Sequence, residues 1–234
     1  RYQVKRFLGE GGKKKVYLAH DTTLDREVAF ALIKTDGLDE TSRTRIQREA
    51  QAMGRLGSHS HIVTVFDLGE EQNQPYMVTE LMGGGDVEGV IEDAEDHRLP
   101  LEKAIKIAQE TCRGMEFAHS RGIVHRDLKP GNILIDNNGM RITDFGLVQL
   151  MEDFTQTIGF QSLLTNNPDP SSRTESENAL MGTYEYMSPE QKRGKSDERS
   201  DLFSVGLICF RMLTGQKVLG VTRPSALVEG INPD

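Results

Sequence analysis

A chain of 234 residues with a net charge of −8 can bury a substantial core, in one large domain or in two small lobes. The acidic balance argues against nucleic acid as a partner, because affinity for a phosphate backbone requires a concentrated positive field. No apolar run approaches the roughly 20 residues that span a bilayer. We therefore expect no membrane contact from this segment and a cytoplasmic location, alone or as the cytosolic part of a larger membrane-anchored protein.

The first part of the chain predicts a small lobe dominated by antiparallel strands. Helical spacing at Ile46, Ala50 and Met53 predicts one helix within it, which Gly57 would end. Glycine or Asp-Thr turn signals separate the strand patterns. The predicted strands cover residues 2–8, 15–20, 27–35, 62–68 and 76–80.

The rest of the chain, after the flexible connector LMGGGD, predicts a mainly helical lobe. We expect a long amphipathic helix after Pro100, a second helix over 199–213, and a long mobile loop over the polar, aperiodic stretch 151–181. Cys112 and Cys209 fall within apolar helical patterns, so they are expected to be buried thiols in a reducing compartment. The predicted apolar stripe of the long helix consists of Leu101, Ile105, Ala108, Cys112, Met115 and His119.

The segment GEGG at residues 9–12 has the glycines that a phosphate-binding loop needs. Gly9, Gly11 and Gly12 lack a Cβ and so permit close approach of backbone N–H groups to a ligand. Taken alone, the triplet favours a plain hairpin turn. Because strands flank it, it also differs from loops that hold phosphate at the start of a helix.

Two motifs at fixed spacing, HRDLKPGN at 125–132 and DFG at 144–146, indicate chemistry more strongly. Metal-assisted phosphoryl transfer requires a proton acceptor, a cation near the transferred phosphate, and oxygen ligands for Mg²⁺. Asp127 can accept the proton and Lys129 can neutralise developing charge. Asn132 and Asp144 can offer the oxygen ligands. The alternative, an ordinary charged loop, is disfavoured because both motifs occur in the expected order.

These residues resemble the catalytic and metal loops of the eukaryotic-type (Hanks-type) serine/threonine protein kinase family, and GEGG…KVYLAHD is most similar to its bacterial branch. The resemblance implies an α+β, bilobal fold. A small antiparallel β lobe with one helix would cover residues 1–80, and a hinge would cover 80–86. A larger, mainly helical lobe would cover 86–234, with an activation segment at 144–190, and the family's C-terminal helices are not found in this sequence.

The resemblance also implies a site for ATP with Mg²⁺, or Mn²⁺ in its place. Lys34 would hold the α and β phosphates with Glu49 as its helix partner, although a solvated surface pair is the alternative. Thr79 would be a small gatekeeper that leaves a back pocket open to bulky inhibitors. Leu32 departs from the family, which usually has alanine two residues before the lysine, so it would press on the adenine. The full implied set of nucleotide contacts is Gly9, Glu10, Gly11, Gly12, Val16, Leu32, Lys34, Thr79, Glu80, Met82, Asp86 and Leu134.

Further positions follow from the resemblance. Lys129 and Thr183 match serine/threonine rather than tyrosine specificity. In the family, an arginine at the position of Arg126 usually accompanies control by activation-loop phosphorylation. The serine and threonine hydroxyls between residues 155 and 176 are the candidate phosphate acceptors. Asp201 would brace the catalytic loop. An apolar column linking the lobes would consist of Met53, Val65, His125 and Phe145.

The expected function is ATP-dependent phosphorylation of serine or threonine on protein substrates. A pseudokinase that binds nucleotide or a partner without turnover is the alternative, and a small-molecule kinase is disfavoured by the segment GTYEYMSPE. The run Lys13–Lys15 replaces the loop's third glycine at Lys14. Either these lysines are a solvated hairpin, or one of them reaches the phosphates and adds a cation to Lys34.

Overall fold

The computed structural model describes residues 1–11, 14–35, 53–54, 56–72, 74–137, 139–145 and 184–217. Expectations for Gly12, Glu49, Thr183 and the loop 151–181 therefore fall outside the described residues. Contacts divide the described chain into two units. The first contains the described parts of Arg1–Ser58 and Val63–Leu81, and the second contains those of His59–Ile62 and Met82–Phe145 together with residues 184–217.

The first unit is built on a five-stranded antiparallel sheet with the strand order β1-β2-β3-β5-β4. The small β lobe expected from the sequence is confirmed. The predicted strand over 62–68 begins later, at Val65. Ile62 belongs to the second unit, where it forms an isolated parallel bridge with Ile142. Of the predicted helix, the described residues 53, 54 and 56 are helical. The strands are β1 (Tyr2–Glu10), β2 (Lys14–Asp21), β3 (Arg26–Ile33), β4 (Val65–Glu71) and β5 (Gln74–Thr79).

A charged network ties the edge strand β1 to β2 and β4. The Arg1 guanidinium donates to both carboxylate oxygens of Asp21, at 3.0 and 3.1 Å, and to Asp67 Oδ2 at 2.9 Å. The Tyr2 hydroxyl donates to the same Asp67 oxygen at 2.6 Å. Hydrogen bonding from Arg1 lowers the pKa of Asp21 to about 2. The network therefore depends on Asp21 being ionised.

The second unit contains three helices among its described residues, together with a two-stranded sheet and three short 3₁₀ turns. Asp86 caps the first helix by accepting from Gly89 N at 2.9 Å. Asp197 and Ser200 form a capping box at the start of the third. The elements are α1 (Val87–Glu92), α2 (Leu101–His119), β6 (Ile133–Asp136), β7 (Gly139–Ile142) and α3 (Glu198–Thr214), with 3₁₀ turns at Glu95–His97, Pro130–Asn132 and Gln191–Arg193.

Helix α2 begins after Pro100 as predicted, but it buries a different face from the one expected. Its buried residues are Ala104, Ile107, Thr111, Gly114, Met115 and Ala118. Leu101 and Ile105 are each 47% exposed, and only Met115 is common to the predicted and the observed stripe. The reason is close packing. A Cβ at Gly114 would lie 2.8 Å from Ile142 Cδ1 and 2.9 Å from the His61 carbonyl oxygen, so small residues must face the protein here.

The expectation of two buried thiols is wrong for Cys112. Cys112 is exposed and Cys209 is intermediate, and the two thiols are free. Cys112 belongs to the predicted stripe of α2 that turns out to lie outside the buried face. Partial burial still raises the pKa of both thiols. In the part of the chain that the structure describes, no helix is both long and apolar enough to cross a membrane.

Candidate active site

The loop between α2 and β6 carries His125 to Asn132 and is held from helix α3. Asp201, on α3, is 1% exposed, and its Oδ2 and Oδ1 accept from the backbone N–H groups of His125 and Arg126, each at 2.8 Å. His119 Nε2 lies 2.8 Å from Asp201 Oδ2. The predicted role of Asp201 as a brace is confirmed. Arg126 has φ 66°, a strained value for a side chain of its size, so the brace holds a conformation that the loop alone would not favour.

Three predicted residues of this loop lie together. Lys129 Nζ is 3.9 Å from Asp127 Oδ1, so a cation stands beside the candidate proton acceptor. Asn132 Nδ2 donates to the Asp127 carbonyl oxygen at 2.6 Å, which directs the amide oxygen of Asn132 away from the loop backbone. Asp127 and Asn132 are both 6% exposed. The loop can therefore present a carboxylate, an ammonium group and an amide oxygen at one place.

The backbone of Asp144 lies next to this loop. Thr143 N donates to the Asn132 carbonyl oxygen at 2.9 Å, so Asp144 follows directly after a residue bonded to Asn132. Asp144 has φ 66°, the second strained position near the loop. Among the described residues, no group of three or more His, Cys, Asp or Glu side chains could hold a metal ion. Asn132 and Asp144 fit Mg²⁺ as hard oxygen ligands, provided that phosphate and water complete the coordination.

His125 connects the loop to the residues before Asp144. Its Nδ1 accepts from Asp127 N at 3.2 Å, and its Nε2 donates to the Thr143 carbonyl oxygen at 2.9 Å. The ring packs on Phe145 with the centroids 4.6 Å apart. Burial lowers the pKa of His125, which agrees with a neutral ring that has one donor and one acceptor. Continuation of this apolar column to Met53 and Val65 stays a prediction.

The connector between the units has its own fixed contacts. Glu80 Oε1 accepts from Thr64 N at 2.6 Å, so this carboxylate is held by the backbone of the first unit. Met82 Sδ accepts from Arg141 Nη1 at 3.3 Å. Asp86 forms an antiparallel bridge with Leu134, which brings two predicted nucleotide contacts together in the second unit. The side chain of Asp86 is also the cap of α1.

The first unit divides its predicted nucleotide contacts between two faces of the sheet. Directly opposed residues of antiparallel strands point to the same side, and successive residues alternate. Val16 opposes Ala31, and Ala29 opposes Thr79, whereas Leu32 opposes Lys15 and Tyr76. The Val16 face of β2, β3 and β5 consists of Lys14, Val16, Leu18, Ala29, Ala31, Ile33, Met77 and Thr79. The Leu32 face consists of Lys15, Tyr17, Ala19, Val28, Phe30, Leu32, Tyr76 and Val78.

The structure does not bring Leu32 to Val16 and Thr79. Leu32 packs against the buried cluster formed by Ala19, Val28, Phe30 and Val78. A side chain used in this way cannot press on a ligand that contacts Val16, so the expected obstruction at Leu32 is not found. The residues of β3 that do share the Val16 face include two small ones, Ala29 and Ala31.

Lys34 follows directly after β3, and its side chain forms an ion pair beside the Leu32 face of the sheet. Its Nζ lies 2.6 Å from Glu10 Oε1, and Lys15 Nζ lies 3.6 Å from Glu10 Oε2. Glu10 opposes Lys15 in the sheet, so the three side chains lie together beside the Leu32 face. The Lys34 ammonium holds the pKa of the Glu10 carboxyl below its usual range. The expected partner of Lys34, Glu49, lies outside the described residues.

Comparison with known proteins agrees with the geometry of the catalytic loop. The family model described as "Protein kinase domain" matches residues 2–230. This chain belongs to the protein kinase family. It is 37% identical to the serine/threonine-protein kinase PksC of Streptomyces coelicolor over 97% of the chain and 39% of the relative. It is 39% identical to the DNA damage-responsive serine/threonine-protein kinase RqkA of Deinococcus radiodurans over 92% of the chain and 30% of the relative.

A solved structure supports the same fold. The kinase domain of Mycobacterium tuberculosis PknI matches with a TM-score of 0.72 and 24% identity, over 97% of this chain and 81% of that one. The expected kinase fold is confirmed. The chain spans 39% or less of the length of the two curated kinases named above.

Two contacts of this kinase domain were missed from sequence. Gln191 is 3% exposed, and its Nε2 donates to the Arg126 carbonyl oxygen. Gln191 therefore holds the carbonyl group of the strained residue, whereas Asp201 holds its N–H group. Glu10 pairs with Lys34. Neither contact has a local signal, because the partners are far apart along the chain. Strand pairing of Glu10 with Lys15 was the one feature that could have indicated the second contact.

Proposed function

We propose that this kinase domain transfers the γ-phosphoryl group of ATP to serine or threonine hydroxyls of protein substrates. The observation that carries the proposal is Lys129 Nζ at 3.9 Å from Asp127 Oδ1, on a loop braced by the buried Asp201. Both curated relatives named above are serine/threonine-protein kinases, which supports the same acceptor class.

The loop residues suit the separate needs of phosphoryl transfer. The Asp127 carboxylate accepts the proton of the substrate hydroxyl, and Lys129 stabilises negative charge on the transferred group. Asn132 and Asp144 would hold Mg²⁺, which when bound neutralises charge on the phosphate oxygens. Most of the rate enhancement would come from positioning and electrostatics, since the protein supplies no covalent intermediate.

Substitution of Asp127 by asparagine tests this proposal. Labelling of a generic protein substrate, or of the kinase domain itself, from γ-labelled ATP should fall by about a hundredfold or more, because a general base contributes roughly 10²–10⁴. Binding of Mg·ATP should persist, since the variant keeps Lys129, Asn132 and Asp144. Equal labelling by wild type and variant would overturn the proposal.

A nucleotide-binding module without turnover is the second candidate, and one observation favours it. The residues of β3 on the Val16 face are Ala29, Ala31 and Ile33, so the strand presents no cation to a ligand that contacts Val16. A wild-type domain that is stabilised by Mg·ATP in thermal unfolding but labels neither itself nor an added protein would favour this candidate.

Control by phosphorylation is a further part of the proposal. Arg126 precedes Asp127, and the hydroxyls between residues 155 and 176 lie outside the described residues. We expect autophosphorylation within that stretch after incubation with Mg·ATP. Mass spectrometry that finds the stretch unmodified in an active preparation would count against it.

A further inference from the structure

The strand register places a cation on the Val16 face that the catalytic motifs do not account for. Lys14 is the first residue of β2 and opposes Ile33, and Val16, two residues later, opposes Ala31. Side chains two residues apart on one strand share a face. Lys14 therefore lies on the same side of the sheet as Val16 and Thr79, at the end next to the glycine loop.

Among the lysines and arginines of β2 and β3, Lys14 is the one on the Val16 face. Lys15 lies on the opposite face, where it meets Glu10. Arg26, at the far end of β3, opposes Asp21 and also lies on that opposite side. β1 adds Arg6 to the Val16 face, but Arg6 opposes Leu18 and so lies farther from the loop than Lys14 does.

Lys14 and Ala31 are diagonal neighbours across the β2–β3 pair. Diagonal positions in an antiparallel pair are about 7–8 Å apart, which is within reach of a long side chain. Ala31 is 3% exposed and has a short side chain, and the Lys14 side chain is long enough to reach it from β2. The Lys14 carbonyl oxygen accepts from Gly11 N at 2.9 Å, so the backbone of Lys14 closes the glycine loop.

Open space lies beside Gly9 and Gly11, the two described glycines of the loop. A Cβ added at Gly9 or Gly11 would meet no other heavy atom within 4 Å in the structure as described. Packing inside the protein therefore does not require glycine at these two positions. The Gly11 N–H group already donates to the Lys14 carbonyl oxygen, so the donor that this end of the sheet can offer to a phosphate is the Lys14 ammonium group.

We propose that Lys14, rather than Lys34, supplies the phosphate-binding cation of the ATP site. The inference rests on the proposed function, because it takes the Val16 face as the face that meets the nucleotide. Lys34 is held by Glu10 beside the Leu32 face and serves the structure of the glycine hairpin. The cation would then come from strand β2 and not from the end of β3.

The test compares Mg·ATP with adenosine as probes for the same domain. Lys14→Met should weaken Mg·ATP binding by about tenfold to a hundredfold, the size expected for loss of a charge-assisted hydrogen bond, and should raise the KM for ATP. Adenosine has no phosphate, so its affinity should change by less than about twofold. Lys15→Met, on the opposite face of the same strand, is the matched control and should leave both affinities unchanged.

A second variant tests the shared face directly. Adding Ala31→Lys to Lys14→Met returns a lysine to the Val16 face, and it should recover part of the lost Mg·ATP affinity. If the double variant binds adenosine normally but gains no ATP affinity, the shared face is contradicted. Should the double variant not fold, the single variant with its adenosine control still decides.

The outcomes separate this inference from the proposed function. If Lys14→Met binds Mg·ATP as the wild type does, or if Lys34→Met causes the larger loss, the role of Lys14 is overturned while kinase activity stands. If the wild type binds Mg·ATP through Lys14 but transfers no phosphate, the activity is overturned while the role of Lys14 stands. A wild type that binds no Mg·ATP contradicts both.

Discussion

Replacing Gln191 with leucine removes one of the contacts that hold the catalytic loop and leaves the carboxylates of Asp127 and Asp201 in place. Arg126 has φ 66°, and such a conformation costs about 1–3 kcal/mol, so it persists only when neighbouring groups hold it. Two buried side chains do so. Asp201 accepts from Arg126 N at 2.8 Å, and Gln191 donates to the Arg126 carbonyl oxygen. That carbonyl belongs to the peptide that leads into Asp127.

The size of the effect follows from these contacts. Leucine leaves the buried carbonyl without its donor, which costs about 1–3 kcal/mol, the same size as the strain that is being held. The population of the strained loop should fall by about five- to a hundredfold, and kcat should fall with it. Because Gln191 contacts the loop backbone and no predicted nucleotide residue, the KM for ATP should change little.

Steady-state kinetics with a protein acceptor and thermal unfolding together test this prediction. Arg193→Ala, an exposed change on the same 3₁₀ turn, is the matched control and should keep both kcat and Tm. If Gln191→Leu keeps kcat within about twofold at an unchanged Tm, the loop does not depend on this bond. If kcat and the affinity for ATP fall together with Tm, Gln191 has only a general structural role.

Three further predictions concern stability and exposure. Asp21, with its pKa lowered to about 2 by Arg1 from an ordinary value of 3.8, stabilises the first unit above about pH 4, and this contribution should disappear as the pH falls toward 2. Asp21→Asn should therefore have a lower Tm at pH 7 and a shallower decline of Tm in acid, and parallel curves would contradict the pairing. Gly114→Ala should lower the free energy of unfolding, measured with urea, by about 1–3 kcal/mol through overpacking. Gly206→Ala on α3, where a Cβ meets nothing within 4 Å, should leave that free energy unchanged or raise it. Cys112 should react with a thiol reagent in the folded protein, and the rise of its rate with pH should lie at higher pH than for an ordinary thiol because its pKa is raised; a thiol that reacts only after unfolding would refute its exposure.

The sequence predicted what depends on short spacing. Asp127, Lys129 and Asn132 lie within six residues, and the structure brings them together on one loop. The five strands and helix α2 were also predicted, with ends that differ by up to three residues. These elements follow from local period and turn chemistry, which a single sequence contains.

The sequence did not predict which face of an element meets which neighbour. For α2 the large apolar residues suggested one stripe, but close approach to His61 required Gly114 and the small residues around it. For β3 the position of Lys34 suggested a phosphate contact, but only the pairing with β2 and β5 shows that Leu32 turns the other way. Such facts depend on contacts between segments distant in the chain, so no local pattern contains them.

The same register also bears on the two candidate functions, because Ala29, Ala31 and Ile33 leave β3 without a cation on the Val16 face. Loss of a cation from β3 alone would favour a nucleotide-binding module, because the phosphates would then lack their partner on the Val16 face. Lys14, at the diagonal position on β2 and next to the loop, supplies a cation on the same face. Strand residues alternate between faces, so Lys15 could not have served in its place. The diagonal position of Lys14 relative to Ala31, on the same face, therefore favours a domain that takes its phosphate-binding cation from β2 and holds the phosphates of ATP.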